Sequence, residues 1–325
     1  MAENTPEYGV FWGPDIYNYA AKKNYLIEHL LCEKDVVCIV ADPGIGKSVL
    51  AIQLMFNLTT KEPFLDTYKV KRPCNVLYLQ TEGDRSETLD RIKSMKKGLR
   101  VDDTRWVHMN LEGICLNTGD GLGKFMNLAI QPQMEYDVII IDPLYTTVKG
   151  SMSSDEVATD WVRAVRTIKR KFNCTILVLH HDNKESYQQG QLVPRSKSSI
   201  FGSIFWAAFF NHNFKIRKHK GLHILESGKQ RSGRIVDAIE MKMIEPNPLM
   251  YVHFDEGISL GQIQVEQLIK NSPIVLPAKD IITKTELSKA TVFRALKKAQ
   301  DRGLITKVND KSGPGYKWTI SYDDE

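Results

Sequence analysis

Residues 41–48 read Ala-Asp-Pro-Gly-Ile-Gly-Lys-Ser. They follow the apolar run Val36-Val37-Cys38-Ile39-Val40 and precede a helical pattern carrying Val49, Leu50, Ile52, Gln53, Leu54 and Met55. A buried strand that feeds a glycine-bearing turn and then a helix is the geometry of a phosphate-binding loop. Its backbone N–H groups wrap a polyphosphate, and the first helical turn aims more N–H groups and its positive dipole end at the same anion. The expected nucleotide-binding segment is therefore Asp42, Pro43, Gly44, Ile45, Gly46, Lys47, Ser48 and Val49. Lys47 is expected to reach the β- and γ-phosphates of a nucleoside triphosphate, and the Ser48 hydroxyl to bind Mg²⁺. The pattern ordinarily opens with glycine, and here that position is Ala41, which makes weaker nucleotide affinity the expectation.

The chain has 325 residues, enough for one α/β domain of about 200–250 residues and a small appendage. Its formal charge of +5 permits nucleic-acid binding without demanding it. Cys32, Cys38, Cys74, Cys115 and Cys174 show no Cys-x-x-Cys spacing. Reduced thiols in the cytoplasm are expected, with neither zinc nor disulfides. No apolar run approaches the ~20 residues of a membrane span, and the N-terminus lacks the features of a signal peptide.

Apolar runs alternate with helical stretches along the chain. Val76-Leu77-Tyr78-Leu79 ends in Gln80-Thr81-Glu82-Gly83-Asp84, and residues 85–97 read as a helix. Trp106–Met109 reads as a further strand. Val138–Ile141 is a buried strand ending at Asp142, residues 155–172 form an amphipathic helix, and Cys174–Leu179 runs into His180-His181. Continuous apolar strands between helices indicate a mostly parallel sheet covered on both faces. Residues 25–33 read as a short helix. Phe214–Arg217, Leu222–Leu225 and Met250–Phe254 read as antiparallel edge strands. The expected organisation is an N-terminal arm at 1–24, a core at 25–254, a linker at 255–262 and a small domain at 263–325. In the last, helices at 264–270, 278–286 and 289–302 precede a hairpin. Ser288 caps the third helix and Gly303 stops it. That order is a winged-helix arrangement. The unit carries 11 Lys/Arg against 8 Asp/Glu, a weak electrostatic footprint.

Several side chains fall where phosphate chemistry needs them. Asp142, at the carboxyl edge of the sheet, suits Mg²⁺ held through water opposite Ser48. Glu82 suits the catalytic base that polarises water, with Asp84 as the alternative. His180 and His181 end the next strand and suit sensing of the γ-phosphate. A metal bridge between the two is disfavoured because adjacent strand residues point to opposite faces. Two loops leave the carboxyl edge, one with Lys149 and one with Lys184, Arg195 and Lys197. Their positive charge suits tracking of a single-stranded phosphate backbone. Lys289, Arg294, Lys297 and Lys298 lie on the third helix of the small domain and suit duplex DNA. Lys229 and Arg231 sit in a basic segment between edge strands. They suit cations delivered across a subunit boundary.

The ordered set Ala-Asp-Pro-Gly-Ile-Gly-Lys-Ser, Gln-Thr-Glu-Gly-Asp, Ile-Ile-Ile-Asp-Pro-Leu, Leu-Val-Leu-His-His-Asp-Asn-Lys, Phe-Gly-Ser and Lys-Gln-Arg resembles the RecA-like P-loop ATPases over about residues 25–250. Within them it is most similar to the plasmid RepA-type hexameric helicase group. The resemblance implies a RecA core with ATP hydrolysed at subunit interfaces, a homo-oligomeric ring or filament, and single-stranded DNA at its centre. It implies Glu82 as base, Asp142 as the Mg²⁺ acid, His180 and His181 as sensors, and Lys229 and Arg231 as trans-acting cations. A ring-shaped DNA motor is the leading expectation. A recombinase-like filament protein and an ATP-gated DNA-binding regulator are the alternatives.

Overall fold

The computed structural model describes residues 24–182, 187–188, 191–192, 204–231, 236–245, 249–254, 260–272, 274–285, 287–309 and 316–320. In chain order they form β1 (Tyr25–Ile27), β2 (Leu31–Cys32), β3 (Val36–Ala41), α1 (Lys47–Thr60), β4 (Val76–Gln80), α2 (Arg85–Met95), β5 (Trp106–Asn110), α3 (Gly119–Ala129), β6 (Val138–Asp142), α4 (Asp155–Phe172) and β7 (Thr175–His181). After these come β8 (Tyr187–Gln188), β9 (Gln191–Leu192), α5 (Ile204–Phe209), β10 (His212–His219), β11 (Leu222–Gln230), β12 (Ile239–Ile244) and β13 (Met250–His253). The last elements are α6 (Leu260–Lys270), β14 (Leu276–Pro277), α7 (Ala278–Thr285), α8 (Lys289–Asp301), β15 (Ile305–Asn309) and β16 (Tyr316–Ile320).

Nine strands make one sheet in the order β13-β12-β11-β10-β3-β7-β6-β4-β5. The six from β10 to β5 are parallel. Their order, with the loop-bearing strand β3 between β10 and β7, is the RecA-like arrangement. β3 shows why both faces must be covered. Val37, Ile39 and Ala41 enter one apolar cluster with Leu50, Met55 and Ile92 from α1 and α2. Val36, Cys38 and Val40 enter the other with Phe125, Trp161 and Trp206 from α3, α4 and α5. A strand buried on both sides reads as an unbroken apolar run.

Three expectations are corrected. Residues 25–33 are not a helix but the antiparallel pair β1–β2. His29 and Lys34 take positive φ, which ends any helical path there. The strand through Phe214 is not an antiparallel edge, because β10 lies parallel to β3 with Phe214 opposite Ile39. The antiparallel extension starts only at β11. The expected linker 255–262 overlaps a helix, since α6 begins at Leu260.

The C-terminal unit places α6, β14, α7, α8, β15 and β16 in that order, with a three-stranded sheet β14-β16-β15. Val265, Ile281, Leu296 and Trp318 are among the side chains of its own apolar cluster. The Ser288 hydroxyl accepts the Thr291 N–H and caps α8, and Gly303 at φ 71° follows that helix. The unit is not freely tethered. Ile263 of α6 belongs to the core cluster, while Gln267 and Lys270 donate to Asp66. None of the described helices is long and apolar enough to cross a membrane.

Candidate nucleotide site

The carboxyl ends of parallel strands collect ligands because the following helices present their N-termini there. α1 is distinctive among these helices. Asp84, Thr118 and Ser154 cap α2, α3 and α4 with side-chain oxygens. α1 starts at Gly46 with no side-chain cap and no acid in its first turn. Its first N–H groups are therefore left for an anion. Gly44 and Gly46 both take positive φ, at 73° and 97°. At Gly46 glycine is required twice over, because a Cβ would stand 2.3 Å from the Tyr251 hydroxyl and 2.7 Å from the Met243 methyl.

The loop opens into a cleft of about 710 Å³. Pro43, Gly44, Gly46, Lys47, Ser48 and Val49 line it. Asp42 and Ile45 act through their carbonyls instead. Asp42 accepts from Lys47, and Ile45 accepts the Tyr251 hydroxyl at 2.8 Å. Lys47 Nζ donates to the Ala41 and Asp42 carbonyls at 3.0 and 3.1 Å and stands 3.4 Å from His181 Nδ1. Burial holds its ammonium below the ordinary lysine value, against the attraction of Asp142 and Glu82. A cation kept this dry interacts strongly with an incoming phosphate.

Asp142 ends β6 and is buried. Burial raises its pKa, while hydrogen bonds from the Tyr78 and Ser48 hydroxyls pull it back down. Ser48 and Asp142 are thus adjacent, an oxygen pair that fits a hard divalent cation. Glu82 follows β4, and its carboxylate accepts the Tyr145 hydroxyl. Gln80 braces the same turn by donating to the Glu82 carbonyl at 2.8 Å, and His108 hydrogen-bonds Gln80 in turn. Asp84 also lines the cleft, but its carboxylate caps α2 by accepting the Ser86 N–H at 2.7 Å.

The two histidines separate. His181 lines the cleft, and its ring lies 4.9 Å from that of Tyr145. Burial and then Lys47 depress its pKa. His180 is fully buried and is not part of the cleft wall. Strand alternation turns it to the face of Ile176 and Val178.

Lys229 and Arg231 stand away from this chain's own cleft. The basic segment is not wholly a turn, because Lys229 lies inside β11. β11 ends at Gln230 opposite His212, the first residue of β10, so its end lies at the amino edge of the sheet. Lys229 Nζ donates to the carbonyls of Ala207 and Ala208, and Arg231 N–H donates to Asn211. Lys149 is exposed on the loop after Asp142, where Asn117 pairs with both its backbone groups. Lys289, Arg294, Lys297 and Lys298 are exposed on α8. Lys184, Arg195 and Lys197 lie outside the described residues, as does the arm before residue 24.

Sequence reading missed Tyr78, Tyr145, Arg91, Lys218 and Met243, all on the cleft wall. For Tyr78 a signal existed, since residues two apart on a strand share a face and Tyr78 stands two before Gln80, at the head of the motif that carries Glu82. Lys218 and Met243 come from β10 and β12, and no local pattern ties those strands to the loop.

A family model described as an AAA domain matches residues 17–187, more than half of the chain. No curated protein matches. Among solved structures, a KaiC-like protein from the hyperthermophilic archaeon Pyrococcus horikoshii OT3 is similar at 12% identity and a TM-score of 0.46. The match covers 71% of this chain and 94% of that one. The chain belongs to the AAA domain family, with a P-loop ATPase core of RecA-like strand order.

Proposed function

We propose that the protein is an ATP-driven DNA motor, a ring-shaped helicase of the RepA type that moves on single-stranded DNA. Lys47 and the uncapped amides of α1 bind the triphosphate. Ser48 and Asp142 would hold Mg²⁺, which would supply positive charge to offset that of the triphosphate. Glu82 orients the attacking water and takes its proton. Asp84 is already committed to capping α2, which favours Glu82 for this work. Lys229 and Arg231 serve the cleft of a neighbouring subunit, since they lie at the sheet edge remote from their own.

The observation that carries the reading is the Tyr145–Glu82 hydrogen bond. Tyr145 begins a short turn (Tyr145–Thr147) on the same loop that presents Lys149. A strand drawn along that loop would shift Tyr145 and so free or restrain the base. Such a link supports coupling of DNA contact to hydrolysis. The exposed cations of α8, on a unit we read as a winged helix, support a further contact with duplex DNA.

The test is ATPase measured with and without single-stranded DNA, beside displacement of a labelled strand from a forked duplex and electron microscopy of the assembly. Stimulated hydrolysis, ATP-dependent displacement and closed hexameric rings are expected. Hydrolysis indifferent to DNA, with the fork left intact, overturns the motor. Helical filaments on single strands would transfer the assignment to a recombinase.

A further inference from the structure

The sheet edge opposite the nucleotide cleft carries a second concentration of charge. α4 returns across the sheet, so its last turns lie at the amino edge, close to the residues that lead into β3. A groove of about 700 Å³ opens there, lined by Lys34, Arg163, Arg166, Lys169 and Arg170 together with Thr167 and Asn173. The described lining holds five cations and no carboxylate. Arg163 is paired with Asp160 at 3.0 Å. The helix dipole accounts for the last-turn cations Lys169, Arg170 and Lys171. It does not account for Arg163 and Arg166, which lie before that turn, nor for Lys34, which comes from another element. Burial lowers the Lys169 pKa, Asp35 opposes that, and Lys34 and Arg166 add to it. Gathering like charges in this way costs stability unless an anion joins them.

The spacing fits an extended polyanion. Arg163, Arg166 and Arg170 stand at i, i+3 and i+7, on one helical face. They span about 10 Å of helix axis. A nucleic-acid strand presents its charges at regular intervals, so a row of guanidinium groups along one helical face meets successive phosphates. The Arg166 guanidinium also lies 5.8 Å from the centre of the Phe209 ring, which holds its planar fork in place.

We propose that this amino-edge groove binds the phosphodiester backbone of nucleic acid, as a contact separate from the loops beside the cleft. It needs no nucleotide and does not depend on the motor reading.

Fluorescence anisotropy on the full chain tests it, with a labelled ~30-nucleotide oligo-dT and a duplex of equal length titrated between ~50 and ~200 mM salt. The double variant Arg166→Glu with Arg170→Glu is expected to lose about tenfold in affinity or more. The slope of log K against log salt should fall by about 1–2, as two phosphate contacts require. Basal ATPase without DNA should stay at the wild-type rate, which controls for folding. Lys34→Glu, on a different element, should weaken binding in the same sense, so damage confined to α4 cannot imitate the result. A loss with single strands or with duplex supports the groove and identifies which backbone it holds. Wild-type affinity and slope in both variants overturn it. So does unchanged DNA binding with smaller assemblies in sedimentation, which would make the groove a seat for an acidic face of another copy. Loss of strand displacement with groove affinity intact would count against the motor alone.

Discussion

At the scale of residues, the cleft is organised around one carboxylate and the groups that restrain it. Glu82 has a phenol on its acceptor face, and that phenol's ring lies against His181, the neighbour of Lys47. Burial and the adjacent Glu82 push the Tyr145 hydroxyl up to about 12, so it stays protonated and donates throughout the physiological range. Replacing Glu82 while keeping its shape separates binding from chemistry. Glu82→Gln should leave nucleotide affinity near the wild-type value and reduce kcat by about 10²–10⁴-fold, the usual worth of a positioned base. Equilibrium binding of a fluorescent ATP analogue, set beside single-turnover hydrolysis, checks both halves. Tyr145→Phe removes only the restraint. The hydrogen bond opposes release of Glu82 by up to ~1.4 kcal/mol, so unstimulated hydrolysis should rise by up to about tenfold. Stimulation by single-stranded DNA should shrink in proportion. An unstimulated rate at or below the wild-type value would show that the phenol assists the base rather than restraining it.

At the scale of elements, the phosphate loop is held from behind by a strand distant in sequence. The Gln53 amide of α1 pairs with the Tyr251 backbone in β13 as a neighbouring strand would, accepting its N–H at 2.6 Å and donating to its carbonyl at 2.7 Å. The Tyr251 hydroxyl then reaches the Ile45 carbonyl inside the loop. Gln53→Ala leaves two buried backbone groups unpaired, each costing about 1–3 kcal/mol, so chemical denaturation should show a loss of about 2–6 kcal/mol. ATP affinity should weaken with it, because the loop loses its brace. This brace marks the limit of what local pattern can report. β3, the loop and α1 were legible because one short window carries the apolar run, the glycines and the helical period. β6 ending at Asp142 and β7 ending at the histidine pair were legible for the same reason. Residues 25–33 misled because Leu26, Ile27, Leu30 and Leu31 repeat at helical spacing, whereas the turn at His29 folds them into two strands. The insertion of β10 beside β3 and the meeting of Tyr145 with Glu82 depend on residues far apart in the chain. Neither leaves a periodic trace.

At the scale of the whole molecule, the joints between parts govern how their stability and chemistry couple. One lies within the chain. α6 belongs to both units, with Ile263 in the core and Val265 and Ile269 in the C-terminal cluster. A cut before residue 263 therefore divides a helix that both sides share. Ile263→Asp should detach α6 from the core at a cost of several kcal/mol, because a carboxylate would be buried without a partner. Calorimetry should then resolve two transitions, with basal ATPase retained by the core. A single transition lowered as a whole would mean that the two units melt together. The proposed function adds a second joint, between chains, at the cations of the amino edge. Lys229 and Arg231 occupy the amino edge and the cleft occupies the carboxyl edge, so neither side chain serves its own nucleotide site. Arg231→Ala should leave ATP binding unchanged and reduce hydrolysis by 10³-fold or more if it supplies transition-state charge, on the scale of about 10³–10⁵ known for such fingers. The discriminating measurement is a mixture. Glu82→Gln subunits keep an intact arginine and lack a base, while Arg231→Ala subunits keep the base and lack the arginine. Mixed in equal amounts, they should regain hydrolysis at every interface where an intact arginine meets an intact base. Neither protein alone should show it. An Arg231→Ala protein that hydrolyses ATP at the wild-type rate would remove the residue from the reaction, and a mixture no more active than its parts would confine catalysis to one chain.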